Sequence, residues 1–511
     1  MISPIKTKFD NSQSFKGTLD ILTKGLELCN KYPMVGVSVV DGTTAIIPRT
    51  LVDARTNGFA AAETFRRESM GLFVNCLFPS FAVLALAKMV QPFTMGKEFK
   101  HINMSNVWAN EETLHKLSEV YKNTSGTPEK RIAQYTKNVI NSLEGYNSDN
   151  SKVWKSFKNV SKKAADDLAR LILDKNVSSK ETKFVLGRVF NTLADKTKAT
   201  EVIRFSGDTK PFSSNLSEIL RDTVDLGRRF KDKAVSDNLG EFVKRSTNLI
   251  NRKSLIGMAV LVPLAMSVQF INRAITKWHS GQEGAPIYKD FGKERPVDIK
   301  KDKDNLFLHK MLASALMIGT TLLTSTGSFT KKMFQFKGLF PTLDQCRWIA
   351  TATIVSRMLA SDDNSELKET AIRDIATFLG LYALGDGVAK ITASAIEKAR
   401  PGIKLLNRTI NETKPKTILQ KARNWFSGTK LKSFAEVSKA AKPYRSLCQL
   451  AHLGSSMLVL GLAIPCYVRA CTEKKEAKMQ QIAKNYKEFT RQLKLMQDKG
   501  PFASFKAYYK Q

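Results

Sequence analysis

The sequence is poor in the residues that most catalytic and metal chemistry uses, with five histidines and six cysteines in 511 residues. With so few imidazoles, general acid–base catalysis would have to rest on carboxylates or lysines. The cysteines at 29, 76, 346, 448, 466 and 471 show no C-x-x-C pairing, and Cys76, Cys448 and Cys466 lie inside apolar runs. That distribution excludes a disulfide framework and points to reduced, packed thiols. Also missing are a G-x-S-x-G elbow, a phosphate-binding P-loop and an H-E-x-x-H zinc motif. The glycines of GQEGAPIYKDFG, from Gly281 to Gly292, have neither the spacing nor the strand-to-helix context of a phosphate loop. His452 follows Cys448 by four residues and so shares its helix face, yet no third or fourth metal ligand lies near in sequence. The N-terminus, MISPIKTKFDNSQSF, lacks the apolar stretch of a secretory signal, which leaves targeting to an internal segment.

Acidic charge is also scarce: 47 Asp plus Glu stand against 81 Lys plus Arg, a net +34. A field of that sign draws nucleic acid, acidic proteins or anionic lipid. The positive charge is spread nearly evenly and no helix-turn-helix, zinc-finger or RNA-binding signature is present, which places nucleic acid behind the other two. The mean hydropathy of -0.23 means that any membrane portion is a minority of the length.

Long uncharged runs are what the chain does have. Ser254 to Asn272 reads SLIGMAVLVPLAMSVQFIN, 19 residues fenced by Arg252 and Lys253 before and Arg273 after. As a helix it is roughly 28 Å long, close to the hydrocarbon thickness of a bilayer. Pro263 is compatible with a spanning helix. Met311 to Thr330 is uncharged between Lys310 and Lys331, and its Ala, Gly, Ser and Thr content suits close helix packing. Ser446 to Val468 is uncharged between Arg445 and Arg469. A soluble core helix keeps a charged face at 3.6-residue period, and these three runs have none.

Two further runs are interrupted. Met70 to Val90 contains Asn75, Pro79 and Lys88, the lysine near enough to the end to snorkel. Ile375 to Ile396 contains Asp386 and Lys390, spaced to pair along a helix. An ionisable pair inside a span is a candidate for an ion or proton path. The simpler reading of Gly385-Asp386-Gly387 is a break between two helices that leaves both charges in water. Trp348 to Ser356, between Arg347 and Arg357, is too short to span and reads as a packed or interfacial helix.

These runs divide the chain into an N-terminal segment 1–69, spans at 70–90, 254–272, 311–330, 375–396 and 446–468, and connecting regions 91–253, 273–310, 331–374, 397–445 and 469–511. In 1–69, VGVSVV, Asp41-Gly42 and TTAII have the pattern of a hairpin over Val35 to Ile47. Region 91–253 reads as soluble helices: Asn110 before Glu111 and Glu112, and Thr127 before Pro128, are helix starts. VWKSFKNVSKKAADDLARLILDKN is amphipathic, and Gly207 to Asn215 is a turn. Residues 398–445 carry thirteen basic side chains against two acidic ones, with Trp425, Phe426 and Phe434 interleaved, the texture of a basic interfacial segment. The basic stretch after Val468 and the aromatic end, with Phe502, Phe505, Tyr508 and Tyr509, have the same texture. Lysine and arginine are abundant on both sides of a five-span arrangement, so the positive-inside rule gives no orientation.

The expectation is an all-α, multi-pass membrane protein with soluble helical segments between its spans and a small N-terminal β-hairpin. Its expected partners are the lipid bilayer and anionic headgroups, together with a membrane or cytoplasmic protein. No catalytic residue, cofactor or metal is expected, and the role is structural, scaffolding or interaction. Transport or channel function through Asp386 and Lys390 is the first alternative, and a basic nucleic-acid-binding protein with a buried helical core is the second.

Overall fold

The computed structural model describes residues 33–54, 58–280, 303–325, 335–336, 342–408 and 428–468, apart from a few loop positions between 106 and 175, with isolated positions elsewhere. The described chain is mostly helical and divides into a domain with a closed core and a bundle of long apolar helices.

The domain begins where the bundle helix Phe78–Met95 ends. Its helices are α1 (Glu111–Lys122), α2 (Pro128–Ser142), α3 (Ser161–Leu173), α4 (Ser179–Thr197), α5 (Leu216–Phe230) and α6 (Lys233–Asp237). The expected starts hold: Asn110 accepts from Thr113 N–H and Thr127 from Lys130 N–H, each satisfying an orphan donor of the first turn. The region is not purely helical. Three short antiparallel strands, β1 (Leu143–Tyr146), β2 (Trp154–Ser156) and β3 (Ile203–Phe205), pair in the order β2-β1-β3. The amphipathic segment therefore opens as a strand at Trp154 and becomes helical at Ser161. Aromatic rings lock the core: Tyr121 stacks on Phe230 at 5.0 Å and donates its hydroxyl to the Phe230 carbonyl.

Alongside the helix Phe78–Met95, whose Val83 lies in the bundle core and Met95 in the domain core, one continuous helix, α7 (Leu239–Ser280), runs from the domain into the bundle. Its first turns place Phe242, Val243, Leu249 and Ile250 in the domain core, and its later turns place Leu261 and Ala265 in the bundle core. At 1.5 Å per residue it is about 63 Å long, twice a bilayer, so only its second half need be a span.

In the bundle, α7 packs on the helix Phe78–Met95 and on α9 (Leu343–Leu359), and α8 (Leu306–Thr324) packs on α9. The helix α11 (Gly385–Ala399), which continues α10 (Asn364–Leu379), packs on α12 (Lys442–Ser456). Among the described residues five helices are long and apolar enough to cross a membrane: Val35–Ala54, Ala61–Met95, Leu239–His279, Leu306–Thr324 and Lys439–Val468. Three contain the expected runs 70–90, 254–272 and 446–468, and Leu306–Thr324 covers the expected run 311–330 as far as residue 324. Ile375–Ile396 is not one of the five, and Val35–Ala54 takes its place.

Val35–Ala54 is the segment where a hairpin was expected, and it is helical. Pro33–Val40 and Ile47–Ala54 are α-helical and join through one wide, π-helical turn at Asp41–Ile46. Asp41-Gly42 is a turn signal for a chain that must reverse in water. Here the segment packs beside the apolar turn Met457–Ala463, where backbone groups have to pair within their own segment. The run around Trp348 is the packed helix α9, buried between α7 and α8.

The bundle wears its polarity inside out. Apart from Phe184 and Phe489, every exposed large hydrophobic side chain among the described residues lies on a bundle helix, Leu323, Trp278, Phe93 and Phe307 being the most open. Its buried positions hold Thr44, Arg49, Lys253, Asn272, Thr321, Thr351, Ser356 and Asp374. Only 17–33% of each candidate span's apolar window is buried in the protein. An apolar exterior of this extent on a water-soluble monomer would be a liability, whereas polar side chains facing inward are what helices packed in lipid show.

Of the expected basic interfacial segment, residues 397–408 and 428–445 are described, and these pack against protein. Strands β4 (Leu406–Arg408) and β5 (Thr429–Leu431) pair antiparallel and dock on the domain. Tyr146 donates its hydroxyl to the Arg408 carbonyl at 2.7 Å, Lys432 pairs with Asp149, and the Glu436 carboxylate accepts the Thr200 and Glu201 amides. Phe434 is buried with the Arg445 guanidinium 5.0 Å over its ring, so it is not presented to lipid. Phe426, the loop Gly281 to Gly292 and the aromatic C-terminal end lie outside the described residues, and of Trp425 only the backbone and partial exposure are described.

Candidate functional site: a buried charge network in the bundle

One guanidinium ties four elements together. Arg49, in the helical turn Ile47–Ala54, donates Nη1 to Glu68 Oε1 at 3.2 Å, Nη2 to Thr377 Oγ1 at 2.9 Å and Nε to the Leu460 carbonyl at 3.2 Å. Glu68 belongs to the helix Gly58–Leu72, Thr377 to α10, and Leu460 to the π-helical turn Met457–Ala463. Beside this junction, Asp374 pairs with Arg373 at 2.8 Å and with Arg357 of α9 at 3.5 Å. Asp41 interacts electrostatically with Glu68, Arg49 and Arg357. The cluster thus sets three guanidiniums, Arg49, Arg357 and Arg373, against three carboxylates, Asp41, Glu68 and Asp374.

Helix irregularities and two glycines shape the junction. A π-helical turn inserts one residue into a helix and frees a carbonyl to accept from a side chain. The Leu460 carbonyl, in such a turn, takes the Arg49 Nε–H. Four such turns occur among the described residues, at Asp41–Ile46, Phe73–Leu77, Gly380–Leu384 and Met457–Ala463, all in bundle helices. Two of them are brought together by glycine: a Cβ at Gly461 would lie 2.6 Å from the Thr44 carbonyl oxygen. At Gly380 it would lie 2.6 Å from Leu460 Cδ2.

Further polar links close the same end of the bundle. Arg66 bonds Glu63 at 2.6 Å, Asn272 at 3.0 Å and Thr276 at 3.1 Å, which ties the second apolar segment to α7. Arg273 bonds Glu366 at 2.6 Å, which ties α7 to α10. At the opposite end sits the domain.

The residues singled out by sequence are elsewhere. Asp386 and Lys390 do pair, at 2.7 Å, but on a continuous helix rather than a break, with Lys390 only 10% exposed and Asp386 60% exposed. One of the two charges is therefore buried, against the expectation that water reaches both. The pair is not joined by the structure to Arg49 or Glu68. Cys448 and His452 share a face of α12, where the His452 ring fills the space a Cβ on Gly385 would need. Among the described residues no group of three His, Cys, Asp or Glu could hold a metal ion. Arg49 and Glu68 escaped sequence reading because they flank Val52 and Phe65 in short charged stretches, IPRTLVDA and ETFRRES, that read as water-exposed.

Compared with known protein families, with curated proteins and with solved structures, the chain matches none.

Proposed function

We propose that the chain is an integral, multi-pass membrane protein that holds a basic, folded helical domain against one face of a bilayer, in a structural or scaffolding role rather than a catalytic one. The observation that carries this reading is a bundle that exposes its large apolar side chains and buries charged and hydroxyl groups beside its apolar clusters, fused through one unbroken helix to a domain with a conventional apolar core. The rigid strut of α7 supports it, since a domain meant to move freely would be joined by a flexible linker. In this arrangement the domain and the β4–β5 hairpin share one side, and the helix ends at Ala54, Ser280, Leu306 and Leu359 lie on the other.

Substituted-cysteine labelling in sealed vesicles tests it. In a background with the native cysteines replaced, Lys122→Cys on the domain and Asp304→Cys beside α8 should react with a membrane-impermeant maleimide from opposite sides. Labelling of both from the same side without lysis would overturn the proposed arrangement.

A second reading is favoured by one observation. Six charged groups clustered among apolar helices, with Asp41 and the Leu460 carbonyl in π-helical turns, are the kind of arrangement transporters and pumps use. Ion or solute flux in reconstituted vesicles that Glu68→Gln abolishes would favour transport over a scaffold, and absence of any flux would remove it.

A further inference from the structure

The domain and the bundle meet at a basic cleft of about 300 Å³, lined from the helix Phe78–Met95 by Lys88, Gln91 and Pro92 and from the domain's first loop by Lys100, His101 and Asn103. We propose that this cleft binds the headgroup of an anionic phospholipid of the surrounding bilayer. The inference rests on the multi-pass membrane reading and assigns its lipid contact to specific residues.

Position is the first argument. Lys88 stands two turns before Gly96, where the apolar helix stops and the domain starts, so the cleft lies at the level where a span would leave hydrocarbon. Lysine at that depth extends along the helix and places its ammonium among the headgroups. The second argument is a stripe. Phe81, Ala85, Met89 and Phe93 are all exposed and recur every four residues, so they line one face of the helix leading to the cleft. Phe93, beside Pro92 of the cleft, is 85% exposed. An acyl chain lying along the stripe would bring its phosphate to Lys88.

The cleft is also built rather than incidental. Gln91 holds the domain loop against the helix, accepting the Met104 and Ser105 amides and donating to the Ile102 carbonyl, each near 3.0 Å. Arg229 donates to the Asn103 carbonyl at 2.9 Å and so holds the loop from the domain side. Asp232, 3.2 Å from His101 Nε2, is the one carboxylate bonded to a side chain of the cleft among the described residues, and it orients the imidazole. Basic pockets between spans on one membrane face are recognised sites for phosphate headgroups. The apolar stripe selects a lipid over a free phosphate.

The test uses the full chain purified in a neutral detergent, titrated with dioctanoyl phosphatidylglycerol, with dioctanoyl phosphatidylcholine and with inorganic phosphate. Phosphatidylglycerol should bind and phosphatidylcholine should not. Replacing Lys88 and Lys100 together by glutamine should weaken that binding about 25-fold, from about fivefold per lysine. The Lys88→Arg, Lys100→Arg pair should bind as the native chain does, and so should Lys162→Gln with Lys180→Gln on the exposed domain surface. Equal affinity for inorganic phosphate would overturn the lipid assignment. Undiminished phosphatidylglycerol binding by the glutamine pair, in a protein that still resists alkaline carbonate extraction from membranes, would overturn the cleft while leaving the membrane reading intact. Extraction of the native chain by carbonate would overturn both.

Discussion

Arg49 and Glu68 lie 19 positions apart in sequence and 3.2 Å apart in the bundle, on two helices whose outward faces are apolar. The two side chains are only 10% and 25% exposed, and Thr377, Arg357 and Asp374 stand nearby. A buried pair of this kind is a weak source of net stability when intact, because desolvation offsets most of the attraction. What it adds is a constraint on register, since Arg49 reaches Glu68, Thr377 and the Leu460 carbonyl only in this packing.

Removing one partner should therefore be far worse than removing both. Glu68→Gln alone strands the Arg49 cation and should cost about 3–5 kcal/mol. Arg49→Met combined with Glu68→Gln should recover at least half of that loss. Thermal unfolding of the detergent-solubilised variants reads both, and equal loss in single and double variants would refute the pairing argument.

The approach of the turns Asp41–Ile46 and Met457–Ala463 should tolerate no side chain. Gly461→Val places carbon 2.6 Å from the Thr44 carbonyl oxygen and should destabilise by about 1–3 kcal/mol. Gly319→Val on α8 meets nothing within 4 Å and should change thermal stability little, because lipid or detergent accommodates it.

The domain carries a pH dependence of its own. Asp222 is 2% exposed, and burial pushes its carboxyl up to about 7 despite the Arg221 guanidinium at 3.0 Å. A carboxyl with a raised folded-state pKa binds its proton more tightly in the native than in the unfolded chain. Its contribution is therefore best below pH 4 and is lost as pH rises toward 7. Asp222→Asn should raise the melting temperature at pH 8 and leave it nearly unchanged at pH 4, measured by calorimetry at both values.

Glu436 should matter to the junction of hairpin and domain. Its carboxylate accepts amides of Thr200, Glu201 and Ser433, and Glu436→Ala leaves buried N–H groups unpaired. The cost should be about 1–3 kcal/mol, and Glu436→Gln, which keeps one acceptor oxygen, should lose less. Hydrogen exchange at Thr200 and Glu201 is the direct readout.

What could be read in the sequence was whatever is local. The runs at Ser254 and Ser446, and the run at Met311 as far as Thr324, lie in long apolar helices because hydrophobicity without a charged face has few other uses, and Asn110 and Thr127 cap helices because capping is a three-residue event. What could not be read depends on residues distant in sequence. Val35 to Ile47 alternates and carries Asp41-Gly42, yet its packing against Leu460 decides for helix. Phe434 looks like an interfacial aromatic until the pairing of residues 406–408 with 429–431 brings Arg445 over it. The charge network is harder still. Arg49, Glu68, Arg357 and Asp374 come from four separate stretches, each with an ordinary density of charge, and only the fold makes them neighbours.

Membrane fractionation is the most direct test of the central claim. Membranes from cells expressing the full chain should be washed with 1 M salt (about 3 Å screening length) and then with alkaline carbonate before detergent is added. The account predicts retention through both washes and release by detergent. Release by salt would mean that charge alone held the protein, and release by carbonate that no helix crosses the bilayer; either would contradict the multi-pass reading.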